Sequence, residues 1–166
     1  MNFDIGKVLD CIGEVSVVQT DVDLSSVKYR GEHLLKSPIN MEVKAENKAG
    51  IVTLRIKYCY TLFLTCDRCL TPYTQDIVKN EEHIVIRKLN DNDNDEILEA
   101  PDGTVNLDEL ATNDIITDLP DKFLCKEDCK GLCPKCGRNL NDGNCNCDLR
   151  ETDPRLAALD KFFEND

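Results

Sequence analysis

Eight closely paired cysteines restrict the fold of this sequence more than any other feature. They form four pairs, CDRC, CKEDC, CPKCG and CNC, and the last two pairs lie within the stretch CPKCGRNLNDGNCNC. Two sulfur atoms from one short loop can reach the same zinc ion, which takes four such ligands in a tetrahedron. A glycine after the second cysteine relieves the tight backbone of such a loop. The pattern therefore predicts loops that bind metal.

The predicted site 1 combines the two C-terminal pairs. The eight residues between them, GRNLNDGN, are rich in glycine and asparagine and can fold back at low entropic cost. The alternative is a loose tail with free thiols, which would leave several oxidisable cysteines exposed close together. The predicted ligands of site 1 are Cys133, Cys136, Cys145 and Cys147.

The predicted site 2 uses the remaining four paired cysteines, which are Cys66, Cys69, Cys125 and Cys129. It needs a contact between distant parts of the chain, which costs more loop-closure entropy than site 1. Other partitions stay open: Cys129 could replace one member of either set, or the CDRC pair could join the CPKCG pair. The predicted cofactor is therefore one or two zinc ions.

Thiol redox chemistry is the rival interpretation of these pairs. A thioredoxin-type CxxC motif lies where a strand passes into a helix, whose N-terminus lowers the thiol pKa. Here CDRC is followed by Leu70, Thr71 and Pro72 and then by a strand-like segment, which disfavours that chemistry. The two unpaired cysteines, Cys11 and Cys59, are predicted to be small buried hydrophobic residues.

Alternating apolar and polar residues predict a β-rich body. Residues 39–45, INMEVKA, and 51–65, IVTLRIKYCYTLFLT, have this period and flank a turn-like ENKAG, so they predict a hairpin with one buried face. Residues 72–79 and 83–89 are predicted as further strands, and 11–18 as a weaker candidate. The buried face of the second strand is predicted to carry Val52, Leu54, Ile56, Tyr58, Tyr60, Leu62 and Leu64.

Two helices and one acidic loop are predicted after the strands. Asn106 suits the cap of a helix that Pro120 would end, and a second helix is expected to begin at Asp153. The run NDNDNDE at 90–96 is predicted to be a loop. A calcium-binding loop is the alternative, but Glu96 stands where that motif requires glycine.

These elements predict an α+β fold, with an antiparallel β-sheet or partly open barrel, a C-terminal cysteine-rich zinc-binding module and one or two short helices. We expect a β-rich domain at 1–89 that includes the CDRC knuckle. An acidic loop and helix are expected at 90–121, and the cysteine-rich module with its C-terminal helix at 122–166.

Composition and motifs predict a cytoplasmic protein that is not an enzyme. The N-terminus lacks the features of a secretory signal, and the longest apolar run, YCYTLFL, is too short to span a membrane. The usual catalytic motifs are absent, and His33 and His83 are expected to be surface residues. A zinc ion with four sulfur ligands is coordinatively closed and stabilises rather than catalyses.

The net charge of −12 argues against broad binding of nucleic acid. Its distribution is uneven, because residues 81–121 carry thirteen acidic and two basic side chains, whereas residues 1–80 carry ten of each. The segment around the cysteine loops instead concentrates basic residues, namely Lys126, Lys130, Lys135 and Arg138.

The order of these motifs resembles one protein family. A hairpin, LTCDRCLTPY, an acidic segment, CKGLCPKCGRNLNDGNCNC and DPRLAALDKF follow one another, as in the YceD family of large ribosomal RNA subunit accumulation proteins. The matching motif residues are Cys66, Arg68, Cys69 and Leu70, much of Lys130–Leu140, and Cys145 and Cys147.

The resemblance implies a ribosome-biogenesis factor that supports 23S ribosomal RNA accumulation or processing and large-subunit assembly, and it implies no known catalytic activity. Expected partners are ribosomal RNA or the ribosomal proteins and assembly factors of the large subunit, with no membrane and no small-molecule substrate. The alternatives are a zinc-stabilised interaction module that acts elsewhere, for example in transcription, and a thiol redox sensor.

Overall fold

A five-stranded, mostly antiparallel sheet forms the main body of the protein. The computed structural model describes residues 1–88 and 97–147. The strands of this sheet lie in the order β2-β3-β4-β5-β6, so within the described residues the sheet is open and not a closed barrel. The strands are β2 (Val15–Val22), β3 (Ile39–Lys48), β4 (Ile51–Thr65), β5 (Pro72–Ile86) and β6 (Ile97–Glu99). Among the described strands, only β6 runs parallel to its neighbour.

A second, two-stranded sheet and two helices complete the described elements. The small sheet pairs β1 (Asn2–Asp4) with β7 (Thr104–Asn106). The helices are α1 (Gly6–Asp10) and α2 (Leu107–Asp118). Within the described residues, neither helix has the length and apolar character that crossing a bilayer requires. The predicted α+β class is confirmed.

The hairpin between β3 and β4 forms as its sequence pattern predicts. Ala49 and Gly50 take positive φ angles of 53° and 88°, which suits a tight two-residue hairpin turn. The predicted buried face of β4 is confirmed, with no side chain on it more than 7% exposed. Asn47 supports the turn: it is 2% exposed, donates to the Val8 carbonyl oxygen at 2.7 Å and accepts from the Gly50 N–H at 3.0 Å.

The remaining strand and cysteine predictions need correction. Residues 72–79 and 83–89 are not separate strands, because β5 continues through the polar residues between them while it pairs with the equally long β4. The strand predicted at 11–18 corresponds to β2, which begins only at Val15, after α1 and a turn, so Cys11 lies in the exposed segment before it. Cys59 is only half-buried, because it lies on the face of β4 opposite the core. The burial predicted for these two cysteines is therefore wrong.

Helix α2 packs on the core face of the sheet. Asn106 caps it as predicted, with its side-chain oxygen accepting from the Asp108 and Glu109 N–H groups. Leu107, Leu110, Ala111 and Ile115 supply its buried side. The predicted loop at 90–96 and the predicted helix from Asp153 lie outside the described residues.

Asp114 of α2 forms a polar contact with the sheet. Its Oδ2 atom accepts a hydrogen bond from the Tyr58 hydroxyl at 2.6 Å and lies 3.0 Å from His83 Nε2. Burial and this bond raise the pKa of Tyr58, and the hydrogen bond to Asp114 raises the pKa of His83. His83 is thus half-buried and not the surface residue that the sequence suggests, because it faces the helix from the core side of β5.

Two compact units divide the chain. The first comprises Met1–Thr65 and Pro72–Phe123, and it contains all the elements above. The second comprises Cys66–Thr71 and Leu124–Asp166. The cysteine loops therefore share a unit, in which the segment between β4 and β5 joins the later cysteine-rich segment. The three-part division at 89 and 121 stays a prediction.

Candidate metal centres

Site 2 brings the CDRC pair together with the first pair of the later segment. The four sulfur atoms of Cys66, Cys69, Cys125 and Cys129 all lie within 4.8 Å of one another. Cys66 Sγ is 3.7 Å from Cys129 Sγ, and Cys69 Sγ is 3.6 Å from Cys125 Sγ. Sulfur atoms bound to one zinc ion at about 2.3 Å stand about 3.8 Å apart in a tetrahedron. The spacing fits a metal ion and is far longer than a disulfide bond of about 2.05 Å.

The CDRC loop folds back on itself to present both of its sulfur atoms. The Cys66 N–H donates to the Thr71 carbonyl oxygen at 3.0 Å, and the Leu70 N–H donates to the Cys66 carbonyl oxygen at 2.9 Å. Leu70 takes a positive φ of 57°, which reverses the chain after the second cysteine. The chain then enters β5 at Pro72, and both cysteines of the loop contribute their sulfur atoms to site 2.

Hydrogen bonds from two side chains orient Cys129. Arg68 Nη1 donates to the Cys129 carbonyl oxygen at 3.0 Å, and Asn141 Nδ2 lies 3.3 Å from Cys129 Sγ. The Asn141 bond lowers the pKa of Cys129, because it favours the thiolate over the thiol. The Asn141 side chain also accepts from the Lys130 N–H at 3.0 Å. The sequence alone did not predict this role for Asn141. The only signal was its place in the NLN stretch that follows the CPKCG turn.

Gly131 lets the two halves of site 2 approach closely. The Leu132 N–H donates to the Arg68 carbonyl oxygen at 3.2 Å. Gly131 has a φ of 75°, and an added Cβ would lie only 3.1 Å from that same oxygen. A side chain at this position would therefore be strained and would push the CDRC loop away from the later segment.

Site 1 is built on the CPKCG turn. The Cys133 N–H donates to the Arg138 carbonyl oxygen at 2.8 Å, and the Gly137 N–H donates to the Cys133 carbonyl oxygen at 2.8 Å. Gly137 takes a φ of 69°, so the glycine after the second cysteine makes the left-handed turn that its position suggests. The four sulfur atoms of site 1, from Cys133, Cys136, Cys145 and Cys147, also lie within 4.8 Å of one another.

The two sites differ in their exposure to solvent. In site 2, Cys66, Cys69 and Cys129 are at most 5% exposed, and Cys125 is half-buried. In site 1, only Cys133 is buried; Cys136 is exposed, and the CNC pair is half-buried. A metal ion in site 2 would therefore be better shielded from water and chelators than one in site 1.

Within site 2 the cysteine pKa values move in opposite directions. Burial raises the pKa of Cys66, but hydrogen bonds from the backbone N–H groups of Cys125, Cys69 and Arg68 outweigh it and lower the pKa to about 6. Burial and the neighbouring thiols raise the pKa of Cys125 to about 12. Without a cation, the first thiolate to form makes the next one harder to form.

Site 1 has the same electrostatic character. The backbone N–H of Cys136 and the thiol of Cys145 lower the pKa of Cys133 to about 6. The thiols of Cys136 and Cys145 raise the pKa of Cys147 to about 12. A bound divalent cation would offset the repulsion among four thiolates, so both sets of sulfur atoms could hold a metal ion.

The sulfur atoms group as predicted for site 1 and site 2. Cys129 does not exchange with a member of site 1, and the CDRC pair does not join the CPKCG pair. All eight predicted residues are brought together in their predicted sets. Their role as metal ligands stays a prediction, because spacing alone does not identify a bound ion. Cys11 and Cys59 belong to neither set.

Comparisons with known proteins agree with the motif resemblance. The sequence model of the family described as "Large ribosomal RNA subunit accumulation protein YceD" matches residues 54–163, which include both sites. "Uncharacterized protein YlbN" of Bacillus subtilis (strain 168) is 26% identical over 133 residues, 78% of this chain and 77% of the relative. "Uncharacterized protein ML1660" of Mycobacterium leprae (strain TN) is 26% identical over 120 residues, 63% of this chain and half of the relative. No solved structure matches the chain.

Proposed function

The chain belongs to the YceD family, and we propose that it is a non-enzymatic ribosome-biogenesis factor that supports 23S ribosomal RNA accumulation or processing and large-subunit assembly. The observation that carries this proposal is the family match over residues 54–163, because the family is named for large ribosomal RNA subunit accumulation. Such a role supports a cytoplasmic location, where thiols stay reduced and available to metal.

Zinc is the metal that we propose for both sites, as a structural ion. Four thiolates are a soft ligand set that favours zinc, copper(I) or iron–sulfur clusters over calcium and magnesium. The short hydrogen-bonded turn at each CxxC supports zinc among these, since such turns are typical of zinc knuckles and ribbons. Four protein ligands leave no open position for substrate, and this supports a role without catalysis.

The proposed partner is a protein of the assembling large subunit, with local contact to ribosomal RNA. Nonspecific phosphate binding draws its affinity from many clustered lysine and arginine side chains. In the described part of the cysteine-rich segment, five basic side chains are exposed, namely Lys122, Lys126, Lys130, Lys135 and Arg138, and Lys126 lies 3.9 Å from Asp128. This modest basic surface supports a limited RNA contact beside a protein interface.

Depletion in the host cell tests the biological role. We expect the ratio of 23S to 16S ribosomal RNA to fall, and precursor large subunits to accumulate in sucrose gradients. Complementation with wild-type protein should restore both, and Cys59→Ser should restore them equally, because Cys59 lies outside both sites. Unchanged 23S ribosomal RNA and unchanged subunit profiles after depletion would exclude the proposal.

Metal analysis of the purified chain tests the cofactor separately. We expect two zinc ions per chain by mass spectrometry of the metals and no visible absorption from iron–sulfur clusters. Alkylation of the eight site cysteines should be slow until a chelator is added, because ligand thiolates are shielded by the metal. Rapid alkylation of one low-pKa thiol in a chain without metal would favour a redox sensor instead.

A further inference from the structure

Strand β2 forms a long free edge of the five-stranded sheet. One side of β2 pairs with β3 over its whole length, from Val15 opposite Glu46 to Val22 opposite Ile39. In the part of the chain that the structure describes, no strand pairs with its other side. Alternate residues of an antiparallel strand direct their N–H and C=O groups to each side, so half of these groups on β2 face outward. The opposite edge, β6, has three residues within the described part of the chain.

The edge of β2 lacks the features that normally prevent pairing with another chain. Natural edge strands are interrupted by lysine, proline or bulges. The sequence of β2, VSVVQTDV, contains no basic residue and no proline. Its pairing with β3 proceeds residue by residue without a bulge. The strand is therefore a regular template for a further strand.

Exposed apolar side chains accompany this free backbone. Val15 and Val17 are 44% and 56% exposed and lie on the same face of the strand, and Ile12 just before it is 74% exposed. An added strand could place alternate apolar side chains beside these residues, as cross-strand pairs do in any sheet. This apolar contact would supplement the main-chain hydrogen bonds.

The charge around β2 indicates what kind of strand would fit. Residues 8–27 contain no lysine or arginine. Asp10 forms an ion pair with Arg87, whereas the hydrogen-bond partners of Asp21 and Asp23 are the neutral side chain of Asn40 and the backbone N–H of Ser25. The acidic residues in this segment are Asp10, Glu14, Asp21 and Asp23.

We propose that β2 binds an extended basic polypeptide segment as an additional strand of the sheet, through main-chain hydrogen bonds and lysine or arginine contacts to the acidic side chains beside the edge. A second copy of this chain fits less well, because its β2 strand would bring the same carboxylates together. RNA fits less well because its phosphates would meet the acidic residues. This inference does not depend on the proposed function, and each can fail without the other.

A synthetic peptide that alternates lysine and valine is the probe. Its affinity is measured by fluorescence anisotropy against the whole chain, and amide hydrogen exchange of β2 is followed with and without the probe. We expect the outward-facing amides of Val15–Val22 to become protected. Methylation of two adjacent central backbone nitrogens removes one N–H donor from each edge of the peptide strand and leaves its charge unchanged. Whichever edge of the peptide meets β2, the methylated probe should therefore bind about tenfold or more weakly.

Two matched variants locate the binding. Val17→Lys adds a positive charge at the free edge and should lower probe affinity about tenfold, because basic side chains would then face each other. Val78→Lys adds the same charge on β5, where the valine is 66% exposed but β3 and β4 separate it from β2. That variant should bind the probe like the wild type.

Four results would overturn the inference. Equal binding of the methylated probe would mean simple charge attraction, and equal effects of the two lysine variants would place binding elsewhere. Protection of β2 that depends on protein concentration without any probe would identify a second copy as the occupant. Protection by single-stranded RNA, but not by the peptide, would identify nucleic acid instead.

Discussion

The replacement of Cys129 by serine tests the metal sites most directly. Cys129 is 3% exposed, its sulfur atom lies 3.7 Å from Cys66 Sγ, and Asn141 orients it. A serine hydroxyl is a harder and much less acidic donor than a thiol, so the three remaining thiolates should hold the ion weakly. We expect Cys129→Ser to lose the metal of site 2 and to keep that of site 1.

The cost to stability follows from the loop that each site closes. Cys66 and Cys129 are 63 residues apart in sequence, and a cross-link over that separation stabilises by about 4 kcal/mol in the chain-entropy treatment of loops. The shorter loop from Cys133 to Cys147 gives about 3 kcal/mol by the same treatment. Loss of site 2 should therefore lower the Tm by roughly 8–16 °C, and loss of site 1 by somewhat less.

Metal content per chain and thermal unfolding are measured for Cys129→Ser, Cys145→Ser and the control Cys59→Ser. Each site variant should retain one ion, and the control should match the wild type in both measurements. Two ions retained in Cys129→Ser, or a larger Tm loss for Cys145→Ser than for Cys129→Ser, would refute the argument from loop length.

Three further predictions test individual contacts. Gly131→Ala should lower the Tm and weaken metal retention against a chelator more than Gly137→Ala, because both positions have positive φ but of the two only Gly131 lies close to another backbone atom. Tyr58→Phe removes the 2.6 Å bond to Asp114 and should cost about 2 kcal/mol of unfolding free energy in a denaturant titration. The pKa of His83 is raised in the fold, so its bond with Asp114 stabilises fully below about pH 6.5 and this stabilisation is lost as pH rises through the folded pKa. His83→Gln should therefore lower the Tm more at about pH 5.5 than at about pH 8.5. An equal loss of Tm at both pH values would contradict the predicted pH dependence of the His83–Asp114 bond.

Features governed by local chemistry were predictable from the sequence. The period-two pattern of β4 identified its buried face, since alternation on a half-buried strand depends only on neighbouring residues. The Asn106 cap followed from the same kind of local signal. The sulfur positions within each cysteine pair were also predictable, because a short turn places its own sulfur atoms, whereas the joining of the CDRC pair to the CKEDC pair depends on a contact between distant segments.

Features that depend on tertiary partners were not predictable in this way. The single long β5 exists because β4 offers an equally long partner, although the polar residues in its middle resemble a break. Asn141 acts on Cys129 across eleven intervening residues, and Asp114 meets His83 only after α2 packs on the sheet. The pairing of β1 with β7 joins Asn2–Asp4 to Thr104–Asn106, which are distant in sequence, and a strand of three residues is too short to give a sequence signal.

The charge of the cysteine-rich segment bears on which surface meets a partner. A zinc ion with four thiolates carries a net charge of about −2, so two filled sites would add negative charge beside the basic side chains near them. Those side chains, Lys126, Lys130, Lys135 and Arg138, are all exposed. Their positive charge would then offset the negative charge of the metal loops, and little positive charge would remain to bind phosphate. Affinity for nucleic acid grows with the number of uncompensated cations. This charge balance is the reason for proposing a protein interface with few RNA contacts at this segment and not a broad RNA-binding surface.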